Sequence, residues 1–166
     1  MNDFANDMDE NKLPSTINTL TILTFVGSGL GIVSGIWSYF KSASNLSKMQ
    51  EMVNSPQFEK MPDFAKKMYS PEALELYRKI DENKLPIGIV NILGCALCIY
   101  GALEMRKLKK NGFFTYCIGE VLPFVGTLLF IGTDFFKSGW TAYSTAAFAA
   151  LFIILYSAQV KYMTKQ

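Results

Sequence analysis

Hydrophobic positions in this chain gather into long blocks instead of alternating with polar ones. Four blocks stand out: Ile17–Phe40, Ile87–Glu104, Phe113–Phe136 and Trp140–Val160. At about 1.5 Å per helical residue, each is long enough to cross about 30 Å of hydrocarbon. Core helices of soluble proteins rarely run so far without a charge. No two-residue alternation suggests a membrane β-barrel. The pattern predicts an all-α integral membrane protein with four transmembrane helices over about 15–40, 87–105, 113–136 and 139–161. These are expected to pack as a compact bundle, one domain over residues 1–166.

Between the first two blocks lies a loop, about 41–84, with its own periodicity. Ser55-Pro56 and Ser70-Pro71 each suit an N-cap followed by proline in the first turn. Phe58, Met61, Phe64, Ala65 and Met68 then recur at helical spacing, as do Leu74, Tyr77 and Ile80. Short amphipathic helices are expected here, lying at the membrane surface or over the mouth of the bundle. Met49, Met52, Met61 and Met68 give the loop an adaptable apolar face, which suits a partner surface as well as a lid.

The hexapeptide DENKLP occurs twice, Asp9–Pro14 and Asp81–Pro86, each time before an apolar block. Asp or Asn can cap a helix, proline suits its first turn, and acidic groups complement the positive end of its dipole. Both copies are therefore expected to act as membrane-entry caps.

Small residues repeat at four-residue spacing in three blocks: Gly27, Gly31 and Gly35; Gly94, Cys98 and Ala102; Ala142, Ala146 and Ala150. Such stripes, with Gly101 beside the second, allow close helix approach in a membrane. The run GSGLGIVSG is not a nucleotide loop, because no strand precedes it.

Net charge is +2, but placement is more informative. Arg106, Lys107, Lys109 and Lys110 sit in the short connection between the second and third blocks, and such loops stay cytoplasmic. Four crossings then put both termini in the cytoplasm and the long loop outside, in a bacterial inner membrane. The acidic segment around Asp3, Asp7, Asp9 and Glu10 pulls the other way. With no basic region before it and no cleavage site after it, the first block reads as an uncleaved anchor.

There is no histidine, and Cys95, Cys98 and Cys117 all fall in predicted spans. These absences argue against haem, zinc or His-based catalysis, so no cofactor, metal site, catalytic residue or enzyme activity is expected. Aromatic residues track the helix ends, as interfacial belts do, and nucleic-acid binding is not expected.

One charged residue lies deep in a block. Glu120 is roughly 10 Å in from Phe113 along the helix. A carboxyl at such depth is expected to face the bundle interior. Tyr116, Thr24, Cys98 and Tyr156 fall at matching levels as its candidate polar neighbours. Pro123 is expected to kink the helix beside it.

Two functions follow as expectations. The first is an accessory or scaffold subunit that meets the lipid bilayer and other membrane proteins, or a second copy of itself. The alternative is a small proton- or ion-coupled transporter built on Glu120.

Overall fold

The computed structural model describes residues 13–137 and 140–163. Helices carry nearly all of it, and there is no strand among the described residues. The long elements are α1 (Ser15–Val53), α4 (Pro71–Glu82), α5 (Lys84–Arg106), α6 (Lys110–Ile131) and α8 (Trp140–Ser157). Short ones fill the connections: α2 (Pro56–Glu59), α3 (Asp63–Lys66), a 3-10 turn at Lys67–Tyr69, α7 (Asp134–Lys137) and a 3-10 turn at Val160–Tyr162. Four helices are long and apolar enough to cross a membrane: α1, α5, α6 and the stretch Tyr143–Tyr162.

The helix that carries the first expected span does not stop at Phe40. α1 runs on for 39 residues, about 58 Å at the helical rise. Nothing between Pro14 and Pro56 breaks it, and residues 41–53 carry their own apolar face at Leu46, Met49 and Val53. α4 returns antiparallel along this overhang, burying Met49, Leu76 and Ser42. The region expected as a loop of short amphipathic helices is therefore a pair of helices, the end of α1 and α4 (the stalk), tipped by α2, α3 and the first 3-10 turn.

The expected role of DENKLP as a side-chain cap is also corrected. In the second copy no side chain caps α5. Instead Asn83 Nδ2 donates to the Lys79 carbonyl (3.0 Å), and Lys84 Nζ reaches Asp81 (3.0 Å). The motif separates α4 from α5. A continuous helix would press the Pro86 ring on the Glu82 carbonyl, four residues back, and the chain breaks at Asn83. In the first copy the described part is Leu13 and Pro14, with Pro14 itself at the N-cap position; residues 9–12 lie outside the described residues.

The third block divides too. α6 stops at Ile131 because Gly132 takes φ +77°, which suits glycine, and α7 follows. Through Pro123, by contrast, α6 runs unbroken.

α5 and α6 make the tightest contact in the molecule. A Cβ on Gly94 would stand 2.4 Å from the Pro123 ring, and one on Gly119 would stand 2.7 Å from the Cys98 backbone nitrogen. Gly101 and Gly112 meet in the same way near the turn. Gly94, Cys98 and Ala102 do form a packed stripe, all buried. Facing them, however, are Gly112, Gly119 and Gly126, spaced by seven. Seven-residue spacing keeps one seam between two helices crossing at a shallow left-handed angle. On α1, Gly31 and Gly35 face Cys95 and Asn91, whereas Gly27 faces open space. On α8, Ala146 is half-buried and Ala150 exposed; the Ala142 side chain lies outside what is described. The α8 stripe is thus not a buried seam like the one between α5 and α6.

The main core lies at one end of the molecule, around the α5–α6 turn. Ile17 and Leu20 of α1, Ala102 and Met105 of α5, Tyr116 of α6 and Tyr156 of α8 meet there. This is called the turn end below, and the other the stalk end.

Candidate functional site

The turn end joins four helices through polar groups set in an apolar core. In α6, residues four apart share a face, and Tyr116 Oη donates to Glu120 Oε1 at 2.5 Å. Tyr116 is itself buried, and its ring tilts against Tyr156 of α8 at a centroid distance of 4.6 Å. Tyr156 Oη shares a 2.8 Å hydrogen bond with Thr24 Oγ1 of α1. Cys98 of α5 points its thiol at the Tyr116 carbonyl, 3.9 Å away. The five residues singled out from the sequence, Glu120, Tyr116, Thr24, Cys98 and Tyr156, are thus brought together.

The fully buried polar atoms of this core are paired. Among the described residues, no buried side-chain nitrogen or oxygen lacks a hydrogen-bond partner. Glu120 is half-buried, and Cys95, Cys98 and Cys117 lie around it. An unpaired polar group in such a setting would cost about 1–3 kcal/mol, so full pairing makes the cluster cohesive. No group of three or more His, Cys, Asp or Glu side chains among the described residues is arranged to hold a metal ion.

The basic connection is more ordered than its sequence suggests. Leu108 takes φ +60° and buries its side chain, closing a turn in which Lys109 N bonds the Glu104 carbonyl. The Glu104 carboxylate accepts from Lys107 (3.0 Å) and Lys109 (2.9 Å). That pairing raises the Lys109 ammonium above its ordinary range. Arg106 turns back toward α1, where Nη1 lies 3.4 Å from Thr21 Oγ1 and the guanidinium sits over Phe25. Lys110 alone of the four has no partner described here and is exposed. Sequence reasoning missed Glu104, although an acid three residues before Lys107 on a helix is a visible pairing signal.

At the stalk end, ion pairs fix the base. Lys79 Nζ of α4 meets Asp134 of α7 at 2.5 Å and Glu75 at 3.3 Å. Lys41 and Lys84 lie over the rings of Trp37 and Tyr39. Farther out, the tip holds an apolar groove of about 460 Å³ lined by Val53, Phe58, Tyr69, Pro71 and Leu74, with Asp63 and Lys66. Phe64 and Met68 stand beside it, 74 % and 67 % exposed. Ser70 sets this edge: its Oγ accepts from Ala73 N at 3.2 Å and starts α4.

Two separate features therefore carry chemistry: a hydrogen-bonded polar core near the turn end, and an open apolar tip at the far end of α1. No protein-family model, curated protein or solved structure matches the chain.

Proposed function

We propose that this is a small multi-pass membrane protein acting as an accessory or scaffold subunit, with the stalk tip as the part that meets its partner. The observation that carries the reading is the position of the tip groove. In a bilayer the aromatic band Trp37, Tyr39 and Phe40 marks the interface. From Ser42 to Val53 the helix then rises about 17 Å into water. Exposed Phe64 and Met68 at that height have no lipid to cover them, and large apolar groups left in water mark interaction sites. The polar core supports the same reading, since its hydrogen bonds join α1 to α8 and pair Glu120 with Tyr116 inside the bundle. No catalytic role is assigned to any residue.

The orientation proposed is both termini and the α5–α6 turn in the cytoplasm, with the stalk outside, in a bacterial inner membrane. Single cysteines at Lys110 and at Phe64, probed with an impermeant thiol reagent on intact cells, test this. Labelling at position 64 alone is expected; labelling at position 110 alone overturns the orientation.

Affinity purification in mild detergent from the native membrane tests the function. A stoichiometric membrane-protein partner is expected, lost on Phe64→Asp/Met68→Asp while the chain still inserts. A chain that purifies alone overturns the reading. The transporter alternative draws on Glu120 being half-buried and not sealed. Its test is uptake into reconstituted vesicles that Glu120→Gln abolishes.

A further inference from the structure

Arg106 is a cation at the level of a membrane surface. α5 runs from Lys84 to Arg106, about 33 Å at the helical rise, so its two basic ends bracket a hydrocarbon layer of about 30 Å. At one end Lys84 has an acid, Asp81, at 3.0 Å. At the other, no carboxylate among the described residues forms an ion pair with Arg106. The nearest acid in sequence is Glu104, and residues two apart on a helix do not face each other. Both Glu104 oxygens are already taken, by Lys107 and Lys109.

Arg106 is nevertheless held in place. Thr21 Oγ1 donates to the Asn18 carbonyl at 3.0 Å, which leaves its lone pairs for Arg106 Nη1, 3.4 Å away. The guanidinium carbon lies 6.0 Å from the centroid of Phe25, so that ring backs one face. Thr21 meets one of the N–H donors, and no other acceptor among the described residues meets the rest. The residue is half-buried, and a charge withdrawn from water calls for an opposite charge.

The flank below it is apolar and open. Leu103 and Ile99 precede Arg106 by three and seven residues, so they share its face of α5, and Leu103 is exposed. On α1, Ile22, Phe25 and Gly29 share a face in the same way. Ile22 is exposed, and a Cβ on Gly29 would meet nothing within 4 Å. The two helices are antiparallel neighbours, with Gly31 against Cys95 and Gly35 against Asn91.

We propose that Arg106 holds the phosphate of an anionic phospholipid, with an acyl chain lying along the flank past Leu103 and Gly29. The planar guanidinium offers paired N–H donors that match two phosphate oxygens. Charge selects the lipid. Arg106, Lys107, Lys109 and Lys110 lie in and beside the turn, and Glu104 is the one acid among the described residues paired with any of them. A headgroup of net negative charge is therefore favoured over a zwitterionic one. The site rests on the reading that these helices cross a membrane. It depends neither on a partner at the stalk tip nor on which side the turn faces.

The test offers the full chain, purified in detergent, equal amounts of phosphatidylglycerol and phosphatidylcholine with the same acyl chains. Retained lipid is counted by native mass spectrometry. Wild type is expected to keep phosphatidylglycerol several-fold over phosphatidylcholine. Arg106→Gln should abolish that preference, and Arg106→Lys should keep only part of it, since an ammonium lacks the planar fork. Lys110→Gln should keep most of it. Gly29→Leu fills the open space without touching the charge, and should lower phosphatidylglycerol retention several-fold in a chain that still folds. An unchanged preference in Arg106→Gln overturns the proposal. So does an equal loss in Lys110→Gln, which would mean diffuse attraction to the whole turn. Retention by Gly29→Leu at the wild-type level overturns the placement of the acyl chain. Displacement of phosphatidylglycerol by millimolar inorganic phosphate overturns the lipid in favour of a free-phosphate site. Flotation with liposomes separates the two failures. A chain that does not float sinks the membrane reading and the lipid site together, whereas a floating chain with no lipid preference sinks the lipid site alone.

Discussion

Gly112 lies so close to Gly101 that a Cβ on Gly112 would stand 2.6 Å from the Gly101 carbonyl oxygen. Backbone meets backbone there, and neither side can yield by a rotamer change. Gly31 differs, since its Cβ would meet the Cys95 thiol at 3.0 Å, and Gly27 would meet nothing. Alanine gains about 1 kcal/mol of helix propensity over glycine, while overpacking costs about 1–3 kcal/mol. Gly112→Ala and Gly101→Ala are therefore expected to lower thermal stability in detergent. Gly31→Ala should be near neutral and Gly27→Ala neutral to stabilising. Equal melting temperatures for all four would remove the α5–α6 seam as the main packing contact.

Leu108 poses a contest between strain and burial. Its φ of +60° is a left-handed conformation that costs a non-glycine residue about 1–2 kcal/mol. Its side chain is nevertheless buried in the core cluster, and truncating a buried leucine costs about 2–5 kcal/mol. Burial should win. Leu108→Gly is expected to destabilise by about 1–3 kcal/mol in reversible unfolding, despite relieving the backbone. A stabilised glycine variant would show that the leucine is held there by the turn and not by its packing.

Glu120 separates cohesion from coupling. Gln keeps an oxygen that can accept from Tyr116, so Glu120→Gln is expected to retain wild-type stability and partner binding. Leu at that position leaves the buried Tyr116 hydroxyl without its acceptor, and a loss of about 1–3 kcal/mol is expected. Tyr156→Phe should cost a similar amount, by orphaning Thr24 Oγ1. If Glu120→Leu unfolds no more easily than wild type, the network is not cohesive.

The stalk base should respond to salt and to extremes of pH, but not to pH near neutrality. Asp134, and after it Glu75, raises the Lys79 ammonium above its ordinary 10.5. A raised folded value means stabilisation that is fully present below 10.5 and lost as pH climbs through the folded value. Lys84, and after it Ser42, lowers the Asp81 carboxyl below its ordinary 3.8. That contribution is present above 3.8 and lost as pH falls through the folded value. Proteolysis of the stalk should therefore be flat across neutral pH and faster in high salt. Exchanging the charges, Lys79→Asp with Asp134→Lys, should restore part of the resistance that either change alone removes, the remainder being lost to repulsion between the new aspartate and Glu75.

The sequence located the four long apolar helices because apolar length with few charges is a strong signal, and Ser70-Pro71 began α4 where proline chemistry puts a first turn. It misplaced the end of α1 because the belt Trp37–Phe40 followed by Lys41 reads as a span limit. A membrane interface, however, does not end a helix; only a breaker does, and the next is Pro56. Repeats of four drew attention to Gly27, which packs on nothing, and away from Gly112, Gly119 and Gly126. Those lie seven apart, a period just as physical but easier to overlook. That Tyr116, Tyr156 and Thr24 lie near the level of Glu120 was legible by depth. The pairing of Lys107 and Lys109 with Glu104 was not, because it depends on the left-handed turn at Leu108.

The length of α1 has a mechanical consequence. One unbroken helix of about 58 Å joins Ile17, deep in the core, to Val53 at the tip, so it acts as a lever. A tilt of about 10° about its inner end carries the tip sideways by about 10 Å. The returning limb cannot follow as a rigid body, because it is jointed at Asn83. Any such swing must be taken up at that joint and at the contact between Lys79 and Asp134, the two places where force applied at the tip would first register in the rest of the molecule.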